Sequence, residues 1–479
     1  MSTAATLSGR FQRGLWLSLL NTLLSRVGTF AMGVLLARLL VPQDFGVYAT
    51  ALVVQTVLLT FNDFGVASAV VRREGEVRSI LPTAWTVAVV GGALAFLASL
   101  LAAPTLARLM GSPEGTGVIQ LLSSNVLLDG FAAVPGALLT RELQQVRRLV
   151  VDLAGTVTTV TLTVVLALAG AGPWSLGIGH VTGTALVVVL LMAVTKELPR
   201  FGIDRTCLRE VGRYGAAVVA TSLVLALGSL APQAVTGTVL GGTAAGYFYL
   251  ANNVANWPVS TVSSAVERIA LATFSRARDA DVDLDRAVAG VTGLVGVAVL
   301  PGGAALALLA EPLVRVLYGS DWLPSADALS GLAVGSTVLV LVSLVVHVLV
   351  AAGAPLSSVV VQVVWLAALV PGTVVAAWLW GLPGVGWAQG AVALLVGFPV
   401  HLWGMRRAGL RVTPLLLGLG RPLLVTAVSV TLLLAVRLLD DPVTELVTGG
   451  GITAAIAVGG WLSLRRQVAT TLDGTLERG

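Results

Sequence analysis

Apolar runs of roughly 20 residues recur along the whole chain, separated by short polar connections. A helix of that length crosses a hydrocarbon core of about 30 Å. Fourteen such runs can be laid along the sequence, at 15–37, 45–68, 81–104, 118–140, 149–170, 174–195, 211–232, 243–265, 287–310, 327–352, 355–379, 383–403, 419–438 and 446–464. They are too long and too uniformly apolar for alternating barrel strands. Helices are predicted, because a helix satisfies its own backbone hydrogen bonds in lipid. No signal-peptidase site of small residues follows the first run, so it is read as a retained span.

Composition agrees with this parse. Charged residues make up 11% of the chain and hydrophobic residues 56%, with a mean hydropathy of +0.93, whereas soluble domains carry about 25% charged residues. The basic residues test the span assignment independently. With the N-terminus inside, only Arg38, Arg108, Arg315 and Arg437 of the 29 Lys and Arg fall on the outer side, and Arg26 lies within the first span. All the others fall on the inner side. Cytoplasmic loops are expected to be rich in Lys and Arg, and one missed or invented helix would invert every later loop. An even number of spans with both termini cytoplasmic follows. The pI of about 10.0 then needs no nucleic acid to explain it, and clustered Arg at the inner surface would attract anionic lipid. The single Cys207 excludes an intramolecular disulfide and a cysteine metal cluster.

The chain also repeats itself. RLLVPQDFGVYATALVV (38–54) matches TVLGGTAAGYFYLANNV (238–254), PTLARLMGS (104–112) matches PLVRVLYGS (312–320), and GIGHVTG (177–183) matches GVGWAQG (384–390). The offsets are 200, 208 and 207, so one insertion of about eight residues between the first two anchors accounts for all three. Each anchor falls at the same place among the predicted spans, so the unit is six helices. Six is even, which makes this a same-facing duplication about an axis along the membrane normal, the layout of a transporter. The expected organisation is a lobe at 1–200, a second at 201–410, and a terminal helix pair with a cytoplasmic tail at 411–479.

Polar groups inside the bilayer are costly, which makes them the first candidates for function. In the first span Ser18, Asn21, Thr22, Ser25, Thr29 and Gly33 form a stripe at helical spacing, with Arg26 at its edge. Two readings of Arg26 stand: it faces a water-filled cavity and holds a phosphate or diphosphate, or it pairs with Asp63, Asp129 or backbone carbonyls. In the eighth span Asn252, Asn253 and Asn256 cluster with Ser260. Amides can bind sugar hydroxyls as donors and acceptors at once, and helix packing explains the same residues without a ligand. Asp63 and Asp129 are candidates for proton or cation coupling, Asp129 being the deeper; Asp63 also reads as an interfacial turn residue. His180, His347 and His401 show no metal-ligand spacing and read as hydrogen-bonded helix contacts.

An enzyme reading finds little support. Asp279, Asp281, Asp283 and Asp285 in RDADVDLDR superficially suggest the alternating Asp pattern of metal-dependent glycosyltransferases, but no nucleotide-binding βαβ unit surrounds them, and solvated loop charge accounts for them. No nucleophile elbow, phosphate-binding loop or zinc helix appears. No catalytic residue, metal or cofactor is expected.

At RLLVPQDFGVYA the chain resembles the bacterial polysaccharide transporters, the exopolysaccharide and O-antigen flippases of the multidrug, oligosaccharidyl-lipid and polysaccharide exporter superfamily. The resemblance continues through DFGVASAVVRRE (63–74), GYFYLANNVANWPVSTVSSAVERIALATFSR (246–276) and LLAEPLVRVLYGSDWLPSA (308–326). It implies an all-α integral membrane protein of about 14 transmembrane helices, with two six-helix lobes forming a V around a central cavity and a C-terminal pair. It further implies transfer of an undecaprenyl-diphosphate-linked oligosaccharide from the cytoplasmic to the outer leaflet of the bacterial cytoplasmic membrane, by alternating access and often with ion coupling. Cavity-lining basic residues hold the diphosphate in such proteins, a role that fits Arg26, with Asn21 and Ser25 beside it. The implied partners are the lipid-linked oligosaccharide, membrane lipid, and the polymerase and glycosyltransferases of polysaccharide synthesis. Family members often place an Asp where this chain has Ala231, Pro232 and Gln233. Two alternatives stay open: a multidrug cation exporter of the same superfamily, and a non-transporting scaffold or membrane glycosyltransferase of polysaccharide synthesis.

Overall fold

The computed structural model describes residues 28, 30–62, 66–72, 77–257, 284–351, 355–439 and 441–476. These residues are overwhelmingly helical, with no strand among them. After a helical segment at 30–37 come α1 (Pro42–Asn62), α2 (Val66–Arg72), α3 (Leu81–Leu109), α4 (Thr116–Arg141), α5 (Gln145–Leu168), α6 (Pro173–Thr195), α7 (Arg205–Leu240) and α8 (242–257). The chain continues with α9 (Leu284–Leu308), α10 (Ala310–Leu317), α11 (Pro324–Ala351), α12 (Pro355–Val392), α13 (Phe398–Arg407), α14 (Thr413–Val436) and α15 (Pro442–Leu476).

Eleven helical stretches among the described residues are long and apolar enough to cross a membrane, and one of them, Val360–Arg407, holds 48 residues. As a straight rod it would extend about 72 Å, more than twice the hydrocarbon thickness. It folds back instead. Gly381 takes φ 63° and ψ −144°, a region that L side chains avoid. A Cβ on Gly384 would meet the Ala376 carbonyl, one on Gly372 the side chain of Val392, and one on Gly397 the ring of Trp365. These three pairs are symmetric about Gly381, which is the pattern of an antiparallel hairpin. The chain thus reverses in the gap predicted between 355–379 and 383–403, which divides that stretch into two arms. The predicted spans 15–37 and 243–265 extend beyond the described residues.

The chain divides into two units, Met1–Gly246 and Tyr247–Gly479. In the first, Trp85 anchors a core with Val70, Ile80, Ala88 and Val134. Helices α3 and α4 form a hairpin turning at Gly111, whose φ of 69° suits glycine, and its buried Ser99 and Ser123 share a hydrogen bond of 2.6 Å. Helices α5 and α6 pair through Gly179 and Gly183 packed on Thr163 and Thr159, and through Gly155 packed on Val187 and Gly183, the small-residue contact by which membrane helices approach closely. Helices α4 and α6 then run parallel, with Gly117 on Trp174 and Gly177 on Val118 and Leu121.

The second unit repeats these devices at the positions the internal repeat predicts. Helix α9 leads through α10 and a turn at Gly319, φ 102°, into α11, and Ser330 donates to the Ala307 carbonyl at 2.9 Å. Gly319 is the repeat partner of Gly111 and Ala307 of Ser99 at the offset of 208, and Ser330 that of Ser123 at the offset of 207. Helix α11 lies parallel to the returning arm of α12, with Gly331 on Trp387 and Gly335 on Gly390, as α4 lies on α6. The terminal helices α14 and α15 pack on α9, where Gly418 meets Ala289, Gly296 meets Pro422 and Gly460 meets Val297. Among the described residues, no such cover lies on the equivalent helix of the first unit, α3, where Leu94, Leu97 and Leu101 are exposed.

The first repeated block supplies one more contact, contained within Met1–Gly246. A Cβ on Gly46 would run into the carbonyl oxygen of Gly242, and a Cβ on Gly246 would run into the carbonyl oxygen of Pro42. Pro42 corresponds to Gly242 and Gly46 to Gly246. Reciprocal contact between equivalent positions is the mark of a two-fold relation. The first turns of α1 and α8 therefore cross at backbone distance about a local pseudo-two-fold, and only glycine allows that approach.

Candidate functional site

Helix α1 carries Tyr48, Gln55 and Asn62 at a spacing of seven residues, which places them on one face over about 21 Å of helix. Each meets a different environment. The Tyr48 hydroxyl shares a 3.0 Å hydrogen bond with His180 Nδ1 on α6. Gln55 is buried with its side-chain oxygen unpaired. Asn62, at the far end, donates to the Val126 carbonyl at 3.3 Å and to the Asp129 carboxylate at 3.5 Å, both on α4.

Asp129 is the only acid on α4, and one turn before it lies Asn125 on the same side of the helix. Asn125 is 2% exposed, and neither its side-chain oxygen nor its nitrogen has a partner. The Asn62 oxygen and the Thr50 hydroxyl are likewise buried and unpaired. An amide held this way in an apolar bundle forgoes about 1–3 kcal/mol per unsatisfied group. A track with one carboxylate and several amide oxygens can accept a proton or a small cation; among the described residues no cluster of His, Cys, Asp and Glu has the makings of a multidentate metal site.

The track belongs to the first copy of the repeat alone. The positions equivalent to Tyr48 and Gln55 are Phe248 and Ala255, both buried. The seven-residue spacing was the available signal for it in the sequence, but three different residue types hide the period.

Of the residues singled out from the sequence, Asp129 joins this track. Asn21, Ser25, Arg26 and Asp63 lie outside the described residues. Asn252, Asn253 and Asn256 fall on α8: Asn256 donates to both the carbonyl and the side-chain oxygen of Asn252, at 2.9 and 2.8 Å, and Asn253 donates to the Tyr249 carbonyl at 2.8 Å. These bonds stay within α8, and Asn253 and Asn256 are exposed. Gln233, where family members often carry an Asp, is buried and bridges α7 to the Ala245 carbonyl at 2.9 Å. His347 and His401 each bond a carbonyl four residues back, so all three histidines are helix contacts. Asp285 pairs with Arg411 at 3.3 Å, while Asp279, Asp281 and Asp283 lie outside the described residues.

A family profile described as polysaccharide biosynthesis protein matches residues 35–327, more than half of the chain. The chain belongs to the polysaccharide biosynthesis protein family. Among its relatives is the succinoglycan biosynthesis transport protein ExoT of Rhizobium meliloti (strain 1021), 28% identical over 66% of this chain and 65% of the relative. The lipopolysaccharide biosynthesis protein WzxC of Escherichia coli (strain K12) is 23% identical over 64% of this chain and 63% of the relative. The match thus spans slightly less than two thirds of these relatives' lengths. Among solved structures, the lipid II flippase MurJ in an inward closed conformation superposes with a TM-score of 0.79 at 14% identity, over 96% of this chain and 99% of that one. An inward-facing multidrug transporter of the MATE family gives 0.62 at 17% identity, over 80% and 94%. This family member therefore shares the fold of those two transporters, and it is a multi-pass bacterial membrane protein.

Proposed function

We propose that this family member is a flippase that carries an undecaprenyl-diphosphate-linked oligosaccharide from the cytoplasmic to the outer leaflet of the bacterial cytoplasmic membrane by alternating access. The observation that carries this reading is the reciprocal crossing at Gly46 and Gly246. The first turns of α1 and α8, equivalent elements of the internal repeat, form a glycine-lined contact that can close or part, and the relatives are named as transport and lipopolysaccharide biosynthesis proteins. On the orientation given by the basic residues, both termini are cytoplasmic and this crossing lies at the outer side.

The functional lobes are taken as 1–200 and 201–410, with 411–479 as an accessory pair. Arg26, with Asn21 and Ser25, holds the diphosphate, and Asn252, Asn253 and Asn256 meet sugar hydroxyls. Exposed amides on α8 are tolerable where water reaches them, which fits a hydrated route better than a lipid-facing surface. Asp129, hydrogen-bonded to Asn62, is the coupling acid, and Asp63 remains a second candidate for that role. The cargo's synthesis and polymerisation fall to separate glycosyltransferases and a polymerase.

Export of surface polysaccharide in cells lacking the protein tests this. Loss of export restored by the wild type, and not by Arg26→Ala present at normal level in the membrane, is the expected result. The likeness to multidrug transporters sustains a second reading, export of organic cations. Increased drug susceptibility in the deleted strain with normal polysaccharide would favour it.

A further inference from the structure

At the end of the first unit opposite the Gly46 crossing, four helices stop together. Helix α3 begins, α4 ends, α5 begins and α6 ends around a pocket of about 380 Å³. Its floor is apolar, formed by Leu81, Leu138, Leu139 and Val194. Its rim carries Arg78, Arg141 and Arg147 beside Glu142, Gln144 and Glu197.

The rim is ordered by its own hydrogen bonds. Arg141 donates to the Val70 and Val71 carbonyls at the end of α2, both at 3.1 Å. Gln144 accepts from Arg147 at 2.8 Å through its oxygen and donates to Glu142 through its nitrogen. One acid is thereby turned toward an amide, leaving the guanidinium groups of Arg78 and Arg147 on the rim with donors to spare.

Two further observations point to lipid. The only non-glycine residues of positive φ among those described are Leu143 at 56°, between Glu142 and Gln144, and Lys196 at 54°, between the pocket-lining Thr195 and Glu197, and Leu143 projects its side chain 77% exposed. The connection after α6 exposes Phe201 and Ile203, at 61% and 69%. That connection is pinned to the start of α3: the Gly202 N–H donates to the Thr86 hydroxyl, and the Asp204 N–H to Thr83, both at 3.0 Å. The apolar lip is thus held in place next to the basic rim. An apolar floor, a basic rim and a fixed apolar lip at the ends of membrane helices are the features that bind an amphiphile bearing a negative head.

We propose that this pocket binds an anionic phospholipid, its phosphodiester accepting hydrogen bonds from Arg78 and Arg147 and its acyl chains lying over Leu81, Leu138 and the Phe201–Ile203 lip. This site is separate from the translocation reading, and its test reads binding rather than transport.

The full-length protein, purified in detergent, is titrated with phosphatidylglycerol, with phosphatidylcholine and with inorganic phosphate, and retained ligand is counted by native mass spectrometry. Wild-type protein keeps phosphatidylglycerol in preference to phosphatidylcholine, and inorganic phosphate at equal concentration does not displace it. The double variant Arg78→Gln/Arg147→Gln binds phosphatidylglycerol about 30-fold more weakly, whereas Arg108→Gln, at the other end of α3, binds as wild type. Equal retention of the two lipids, displacement by inorganic phosphate alone, or unchanged affinity in the double variant would each overturn the proposal. If the double variant fails to fold, the lipid preference and phosphate competition in wild type decide.

Discussion

Replacing Gly46 with alanine adds one methyl group at the crossing of α1 and α8, and the geometry says what that methyl meets. It collides with the carbonyl oxygen of Gly242 and lies 2.7 Å from its carbonyl carbon and 3.3 Å from the Gly246 nitrogen. All three are backbone atoms, so no side chain can rotate away and the helices themselves must separate by about an ångström. Overpacking of this kind costs about 1–3 kcal/mol. If the crossing closes one state of an alternating-access cycle, the whole of that cost falls on the closed state, and the equilibrium shifts about 5- to 150-fold toward the open one. The pseudo-two-fold adds a second demand: Gly246→Ala meets the Pro42 carbonyl in the same way and must act alike. Thr50, one turn beyond Gly46 and fully buried, provides the readout. In a Cys207→Ser background, Thr50→Cys should react slowly with a membrane-impermeant maleimide added from outside, and adding either Gly→Ala substitution should raise the rate by that factor. Gly136→Ala, with nothing within 4 Å of the added methyl, should leave it unchanged. Labelling that stays slow in both crossing variants would refute the assignment of this contact as a closure.

Three other substitutions address separate parts of the structure. Gly381→Ala puts a side chain on a backbone conformation reserved for glycine in otherwise open space; the cost is strain alone, about 1–3 kcal/mol, read as a lowered unfolding midpoint in detergent, and an unchanged midpoint would contradict the hairpin. Asp129→Asn keeps the shape of the track while removing its charge, and should leave leaflet exchange of cargo intact but abolish its dependence on an imposed ion gradient; retained gradient dependence would remove Asp129 from coupling. Ser123→Ala deletes the buried bond to Ser99 and should destabilise by about 0.6 kcal/mol, the usual worth of such a bond between membrane helices, measured by thermal unfolding; a neutral result would assign that contact to packing alone.

Much of the fold was legible because lipid leaves the chain few options. Runs of apolar residues had to be helices, so the spans from α3 to α6 and the break before Gly384 could be placed by length and composition. The repeat was legible too, and the paired turns at Gly111 and Gly319, with φ of 69° and 102°, fall where its second anchor aligns. What the repeat could not reveal was that Gly46 and Gly246 face each other, since matching sequences say nothing about contact. The candidate site was less legible for a different reason. Asp129 stood out because a lone acid in a span is rare, but its partner Asn62 and the unpaired Asn125 read as ordinary polar residues until α1 and α4 were brought together. The basic pocket depends on the ends of four helices meeting, and its Arg residues looked in sequence like any inner-surface charge.

The central claim is movement of a lipid-linked sugar between leaflets without chemistry upon it. Vesicles containing the purified protein and a fluorescent undecaprenyl-diphosphate oligosaccharide, probed with an impermeant quencher or lectin, test it directly. The account predicts protein-dependent exchange of the label between leaflets with the oligosaccharide length unchanged. No exchange above protein-free vesicles, or a sugar lengthened or cleaved in the process, would contradict it.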